Sequence, residues 1–195
     1  TGAGGSWIEF AFGPTSPVNL AETVELFIAL PASEDLDVFH PVISLFDIAV
    51  GPADNIHYVD RVHRRLRPGH SPRHVLVIQG FEDDNIPENL QRALVSGIGV
   101  DLVGDDVGAA QIIDAIELAG GTRLDPPVTE NRVAADGSPL TAGVVRYLPD
   151  FPMGGHYVTF QLEPPKHQYG CFLETLFATG TPTIVEGGAT DDPCD

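Results

Sequence analysis

Hydrophobic positions recur at helical spacing in the first part of the chain. The pattern covers Leu20–Leu30 and again Asp35–Val50, where Pro41 marks an early break or kink. Asn55–Leu66 has similar spacing with more polar residues. We therefore predict that residues 7–66 are mostly helical.

A different pattern begins near residue 73. Residues 75–78, VLVI, form a continuous apolar run with β-branched side chains, which is typical of a strand buried on both faces. Helical and strand-like segments then alternate, separated by Gly and Pro. They predict helices at Glu88–Ser96, Ala109–Leu118 and Tyr169–Ala178 and further strands at Val100–Val103 and Thr141–Tyr147. This alternation predicts an α/β fold with a mostly parallel sheet flanked by helices.

The chain is long enough, at 195 residues, for one domain with a substantial core. No internal repeat or second domain is visible, so we treat residues 1–195 as a single domain. Gly120–Pro139 is rich in Gly, Pro, Asp and Asn, which predicts a long surface loop.

Acidic residues outnumber basic ones by 28 to 10, and the net charge is −18. This charge repels nucleic acid and anionic membranes, so we expect neither as a partner. No apolar run approaches the ~18 residues that a transmembrane helix needs. An acidic surface fits an extracellular or periplasmic location, although a compositionally biased genome would produce the same result.

Metal-binding patterns are weak. His63, His70 and His74 are interrupted by proline and glycine, so we expect solvated loop histidines rather than ligands. Cys171 and Cys194 lack CxxC spacing, and the sequence leaves open whether they form a disulfide or stay free thiols. We expect no metal and no cofactor.

Two short segments carry candidate chemistry. Gly80–Pro87, GFEDDNIP, follows the apolar run, and Gly154–Phe160, GGHYVTF, follows the next long strand. Open α/β sheets keep their sites at the carboxyl ends of their strands. A carboxylate from the cluster of acids in the first segment can orient a histidine that arrives from another loop, and His156 in the second segment is the candidate.

These segments resemble the α/β-hydrolase superfamily. Gly80–Pro87 is similar to the turn after strand seven, Gly-x-x-Asp-x-x-(apolar)-Pro, and Gly154–Phe160 to the Gly-His segment after strand eight. The order Asp…His also matches the family's Ser…Asp/Glu…His. The likeness is to the C-terminal half of secreted bacterial esterase- or lipase-like members.

The resemblance implies an α/β-hydrolase-like fold in which residues 7–66 are a helical cap-like insert and residues 73–195 are the last core strands. It makes Asp83 the triad acid and His156 the base, with Asp84 and Glu82 as rivals for the acid. The implied function is carboxylic ester hydrolysis by a serine mechanism. The substrate would be apolar or lipid-like, and six residues are candidates to line its cleft: Phe10, Phe12, Leu26, Phe27, Phe39 and Phe46.

The nucleophile is where the chain departs from the family. No complete Gly-x-Ser-x-Gly is present: around Ser6, Gly4 fits but Ile8 occupies the second glycine position. Thr1 is a weak candidate for a terminal nucleophile. We therefore expect the serine upstream of Thr1, in an N-terminal portion of the same protein, and expect this segment alone to be inactive. Two alternatives stay open: an amide or peptide hydrolase of the same fold, and a non-catalytic binding or assembly domain.

Overall fold

The structure, a computed structural model, describes residues 6–13, 20–31, 33–150 and 154–194. Its strands are β1 (Val75–Gly80), β2 (Asp101–Val103), β3 (Arg123–Leu124), β4 (Arg132–Val133), β5 (Pro139–Leu140) and β6 (Ala142–Tyr147). Four of them form a parallel sheet in the order β1-β6-β2-β3, and β4 and β5 form an antiparallel hairpin. The predicted mixed α/β architecture with a mostly parallel sheet is confirmed.

The α-helices are α1 (Trp7–Phe12), α2 (Ala21–Ile28), α3 (Pro41–Val50), α4 (Glu88–Ile98), α5 (Ile113–Leu118), α6 (Val158–Gln161) and α7 (Glu163–Thr179). Short 3-10 helices lie at Gly51–Ala53, Asn55–His57, Val59–Val62 and Gly155–Tyr157. No helix in the described ranges is long and apolar enough to cross a membrane.

Helices cover both faces of the sheet. Successive strand residues point to opposite faces, so Val77 and Val144 pack with residues of α4 and α5, including Val95. Ile78 and Val145 pack on the other face with residues of α6 and α7. The predicted burial of β1 on both faces is thus confirmed, although β1 lies at one edge of the described sheet.

Several boundaries differ from prediction. Helix α7 begins at Glu163, because its two prolines occupy the first turn, where a missing N–H does no harm. Helix α3 begins only at Pro41 for the same reason. Asn55–Leu66 forms two short 3-10 helices instead of one α-helix. The predicted loop Gly120–Pro139 contains β3, which extends the main sheet.

Helices α1–α3 share a small core of their own, separate from the two beside the sheet. Phe12 is buried there and meets Phe46 edge to face, with ring centroids 5.6 Å apart. Leu26, Phe27 and Phe39 are instead more than four-fifths exposed, at 81%, 82% and 85%. Three of the six predicted cleft residues therefore lie on an open surface of the helical layer.

A disulfide joins Cys171 of α7 to Cys194, with the two Cα atoms 5.2 Å apart. It decides between the two states that the sequence leaves open. The bond ties the C-terminal segment back onto the helix that covers one face of the sheet.

Candidate functional site

Asp83 and His156 meet at the carboxyl edge of the sheet. The Nδ1 atom of His156 lies 3.1 Å from Oδ1 and 3.2 Å from Oδ2 of Asp83. Their loops follow β1 and β6, which are neighbours and parallel, so both loops leave the same edge. The side chain of Asp83 is 5% exposed and that of His156 is 39% exposed. A sheltered carboxylate therefore holds an accessible imidazole.

Asp83 is held by the backbone of the loop that contains it, residues 80–87, which we call the acid loop. Oδ1 accepts hydrogen bonds from the N–H groups of Asn85 and Ile86, both at 2.8 Å. This is an Asx-type turn, which fixes the carboxylate relative to the main chain. The rival acids Glu82 and Asp84 are exposed, and neither hydrogen bonds to His156 in the described structure.

A buried glutamine fastens both ends of the acid loop. Gln91 of α4 is 1% exposed, and its Nε2 donates to the carbonyls of Gly80, at 3.3 Å, and Ile86, at 3.0 Å. Gln79 of β1 in turn donates to the carbonyl of Gln91 at 3.1 Å. We did not predict these positioning residues. Gln79 has a sequence signal, a polar residue directly after the apolar run 75–78, but Gln91 has none.

The two loops approach closely because glycines face each other. A Cβ on Gly80 would lie 2.0 Å from the carbonyl oxygen of Gly155, and one on Gly155 would lie 2.1 Å from that of Phe81. The N–H of Gly155 donates to the carbonyl of Glu82 at 3.1 Å. Gly154 has φ 63° and ψ 161°, a conformation open almost only to glycine. These backbone contacts set the separation of the acid and histidine loops.

We expect Gly155→Ala to lower the free energy of unfolding by about 1–3 kcal/mol, because the new methyl group meets backbone atoms that cannot rotate away. Urea denaturation measures this. The matched control is Gly170→Ala in α7, where nothing lies within 4 Å of the added Cβ. That change should stabilise the protein by about 0.5–1 kcal/mol. Equal effects of the two substitutions would contradict the close packing of the loops.

Beneath the site lies a buried arginine. Arg146 of β6 has a fully buried side chain that binds Glu88 at 2.6 Å and Asp106 at 2.8 Å. Its NH1 also donates to the carbonyls of Val107 and Ala110. Burial raises the pKa of Glu88, although Arg146 opposes the shift. The network joins the starts of α4 and α5 to the end of β6.

An open cleft of about 400 Å³ borders the dyad. Its lining contains four acids, an aromatic ring and two loop residues: Glu82, Asp83, Asp84, Glu88, Phe81, Pro149 and Gly154. Arg146, which contacts the cleft residue Glu88, is enclosed by its own partners. The cleft is therefore negative, which favours neutral or cationic molecules over anions.

No serine, threonine or cysteine of the described residues hydrogen bonds to His156. Ser6 instead caps α1, where its hydroxyl accepts from the N–H of Glu9 at 3.3 Å. The backbone N–H of Ser6 donates to Oδ1 of Asp54 at 3.1 Å. Thr1 lies outside the described residues. In the described part of the chain, the contact between Asp83 and His156 is therefore not joined by a hydroxyl or thiol side chain.

The predicted solvated histidines differ from one another. His70 is exposed, but His63 is only 2% exposed, so the prediction is wrong for His63. His74 accepts from the N–H of Thr141 through Nδ1 at 3.0 Å. Among the described residues, the one cluster of ligand atoms close enough for a metal is His167, Cys171 and Cys194. The disulfide already uses both of its sulfur atoms.

Buried His63 should make the protein sensitive to mild acid. Burial, and then the charges of Arg132 and Arg64, lower the pKa of His63 below 6.5. The unfolded chain binds this proton more readily, so stability present above about pH 6.5 is lost as the pH falls toward the folded-state pKa. We expect a slope of up to about 1.4 kcal/mol per pH unit. Urea unfolding should show a shallower slope in His63→Phe and an unchanged slope in His70→Ala.

The chain matches no family model, and no curated protein or solved structure is significantly similar to it. What it does must therefore be inferred from Asp83, His156 and their surroundings.

Proposed function

We propose that this chain supplies the acid and the base of a serine-type carboxylic ester hydrolase with an α/β-hydrolase-like fold. The observation that carries the proposal is the contact between Asp83 and His156 at the carboxyl edge of a parallel sheet. Both residues stand in the chain order typical of such enzymes.

The contact suits general-base catalysis. A carboxylate bound to Nδ1 keeps the proton on that nitrogen, which leaves Nε2 as the acceptor. Nε2 of His156 has no hydrogen-bond partner in the described structure, and the ring is partly exposed. His156 would take the proton of the serine hydroxyl and later give it to the leaving alcohol, while Asp83 stabilises the imidazolium.

The free edge of β1 offers a place for the missing nucleophile. Within the described residues no strand pairs with its outer side, and residues 75–80, VLVIQG, carry no charge or proline that would discourage pairing. Helix α7, which packs against β1, exposes Tyr169, Leu173 and Phe177 at a spacing of four. A parallel strand added beside β1 would have its carboxyl end next to Asp83. A serine that follows this strand would therefore lie at the same end of the sheet as Asp83 and His156.

The substrate we propose is a neutral ester with an apolar acyl group. The negative cleft beside Asp83 disfavours an anionic substrate and favours departure of the carboxylate product. The exposed Leu26, Phe27 and Phe39 give the helical layer an apolar surface. That layer, residues 7–66, would act as the cap.

The test compares this chain with a form extended upstream, using p-nitrophenyl esters of short and medium chain length. We expect activity only in the extended form, and expect His156→Ala to reduce it by a factor on the order of 10⁴. His70→Ala, an exposed histidine, is the matched control and should leave it unchanged. Labelling with a fluorophosphonate, followed by peptide mass spectrometry, locates the nucleophile. Activity that survives His156→Ala would refute the proposal.

A binding or assembly domain is the second candidate, because no nucleophile contacts His156 in the described structure. It would be favoured if both forms were inactive and unlabelled. An amide hydrolase would use the same dyad, and a preference for p-nitroanilides over the matched esters would identify it.

A further inference from the structure

A second cleft, of about 390 Å³, lies at the amino end of the sheet. Asn131 anchors its wall by bonding both backbone groups of Ala142, the first residue of β6. The strands are parallel, so this cleft lies at their amino ends and the Asp83–His156 pair lies at their carboxyl ends. Its volume is within the range of small-molecule sites, roughly 300–1,000 Å³.

The floor of this cleft contains His63, whose polar atoms are unsatisfied. The residue is 2% exposed, and neither ring nitrogen has a hydrogen-bond partner in the described structure. The carbonyls of Ile98 and Gly99 face the ring and favour a raised pKa, but neither meets it in hydrogen-bonding geometry. Leaving a buried polar group unpaired costs about 1–3 kcal/mol. A ligand or an ordered water that reached the ring would remove this cost.

Two arginines flank His63, and their charge favours an anion rather than water as the occupant of the cleft. NH1 of Arg132 binds Asp101 at 3.3 Å and the carbonyl of Gly120 at 2.9 Å. NH1 of Arg64 binds the carbonyls of Ser96 and Gly97. Nε and NH2 of each guanidinium have no hydrogen-bond partner among the described residues.

The nearby carboxylate of Asp101 offsets the charge of one arginine, Arg132, which it contacts at 3.3 Å. Asp101 already accepts from the N–H of Thr122 at 2.8 Å and from Nδ2 of Asn131 at 2.7 Å, besides Arg132. Arg64 forms no ion pair with a carboxylate among the described residues, so the two guanidinium groups carry more positive charge than Asp101 offsets. After burial, the charges of Arg132 and Arg64 also lower the pKa of His63. A local positive site of this kind stands out in a chain of net charge −18.

We propose that the cleft formed by His63, Arg64 and Arg132, the basic cleft, binds a phosphate group. These three side chains, from the segment around Val59–Val62 and from β4, line the same cleft, and the two guanidinium groups keep unused N–H donors there. Such an arrangement suits a tetrahedral oxyanion, whereas a planar carboxylate is satisfied by one guanidinium. The phosphate is either free or carried by a small organic molecule. The proposal is independent of the hydrolase function.

The test follows the imidazole NMR signals of His63 in this chain while inorganic phosphate is added. Sodium chloride at the same ionic strength controls for general salt effects. We expect a saturable shift with phosphate alone and a rise in melting temperature, since a ligand of the folded state stabilises it. A parallel titration with phenyl phosphate distinguishes the two sources: tighter binding identifies an organic phosphate, and equal or weaker binding identifies the free ion.

Variants assign the binding to the basic cleft. Arg64→Met and Arg132→Met should each weaken phosphate binding at least tenfold, because each removes one charged donor. Arg123→Met removes an arginine bound to exposed Asp105 and should leave binding unchanged. Arg64 is exposed, so its variant should fold even if the Arg132 variant does not. No response beyond sodium chloride, or equal binding by Arg64→Met and the unmodified chain, would overturn the proposal and leave water as the partner of His63.

Discussion

Replacing Asp83 by asparagine should lower the ester turnover that we propose for the upstream-extended form by about 10⁴-fold. The carboxylate oxygens that bind Nδ1 of His156 at 3.1 and 3.2 Å determine which ring nitrogen carries the proton. An asparagine amide in the same place can donate to Nδ1, which moves the proton to Nε2 and removes the base. Steady-state hydrolysis of a p-nitrophenyl ester measures the loss as a fall in kcat.

The matched control is Asp84→Asn, one residue further along. Asp84 is exposed and makes no hydrogen bond to His156 in the described structure, so its loss should change turnover little. Asp83 also accepts from two backbone N–H groups, and urea denaturation separates that structural role from catalysis. A large loss of activity in Asp84→Asn, with activity kept in Asp83→Asn, would assign the role of the acid to Asp84 instead of Asp83.

Replacing Arg146 by methionine should lower the free energy of unfolding by about 3–5 kcal/mol. The fully buried guanidinium is the shared partner of Glu88 and Asp106, at 2.6 and 2.8 Å. Its removal leaves two poorly solvated carboxylates near each other and two carbonyls without their donor. Urea denaturation at neutral pH measures the effect.

The comparison variant is Arg65→Met. Arg65 binds Asp60 at 2.7 Å, but its side chain is 68% exposed, so the expected change is only about 0–1 kcal/mol. Adding Glu88→Gln to Arg146→Met should recover part of the loss, because it removes one of the stranded charges. If Arg146→Met were as mild as Arg65→Met, the buried network would not stabilise the fold.

Much of the candidate site was predictable because its signals are local. Residues 75–78 predict β1 by composition alone, and the glycine after them predicts where it ends. Asp83 and His156 were predicted from short motifs and their order, and the structure places them in contact. The alternation of helical and strand-like segments after residue 73 predicts the parallel sheet, and each segment is recognised from its own residues.

Positioning residues were not predictable in the same way. Gln91 supports the acid loop only because α4 packs beside β1, and Arg146 finds its two carboxylates across 58 and 40 residues of chain. The burial of His63 likewise depends on α4 and on the β4–β5 hairpin, both distant in sequence. Sequence patterns reflect neighbouring residues only, so they do not predict contacts between segments that are distant in the chain.

The sequence by itself determined the α/β class and the order of the main strands and helices, since periodicity and turn chemistry are properties of neighbouring residues. Short motifs that resemble a known family singled out Asp83 and His156. The tertiary structure alone decided that β1 lies at an edge of the described sheet, that the two-residue strand β3 joins that sheet, and that Cys171 bonds Cys194. It also decided that Gly80 and Gly155 touch. Each of these depends on which distant segments share a space, and packing settles that only when the chain folds.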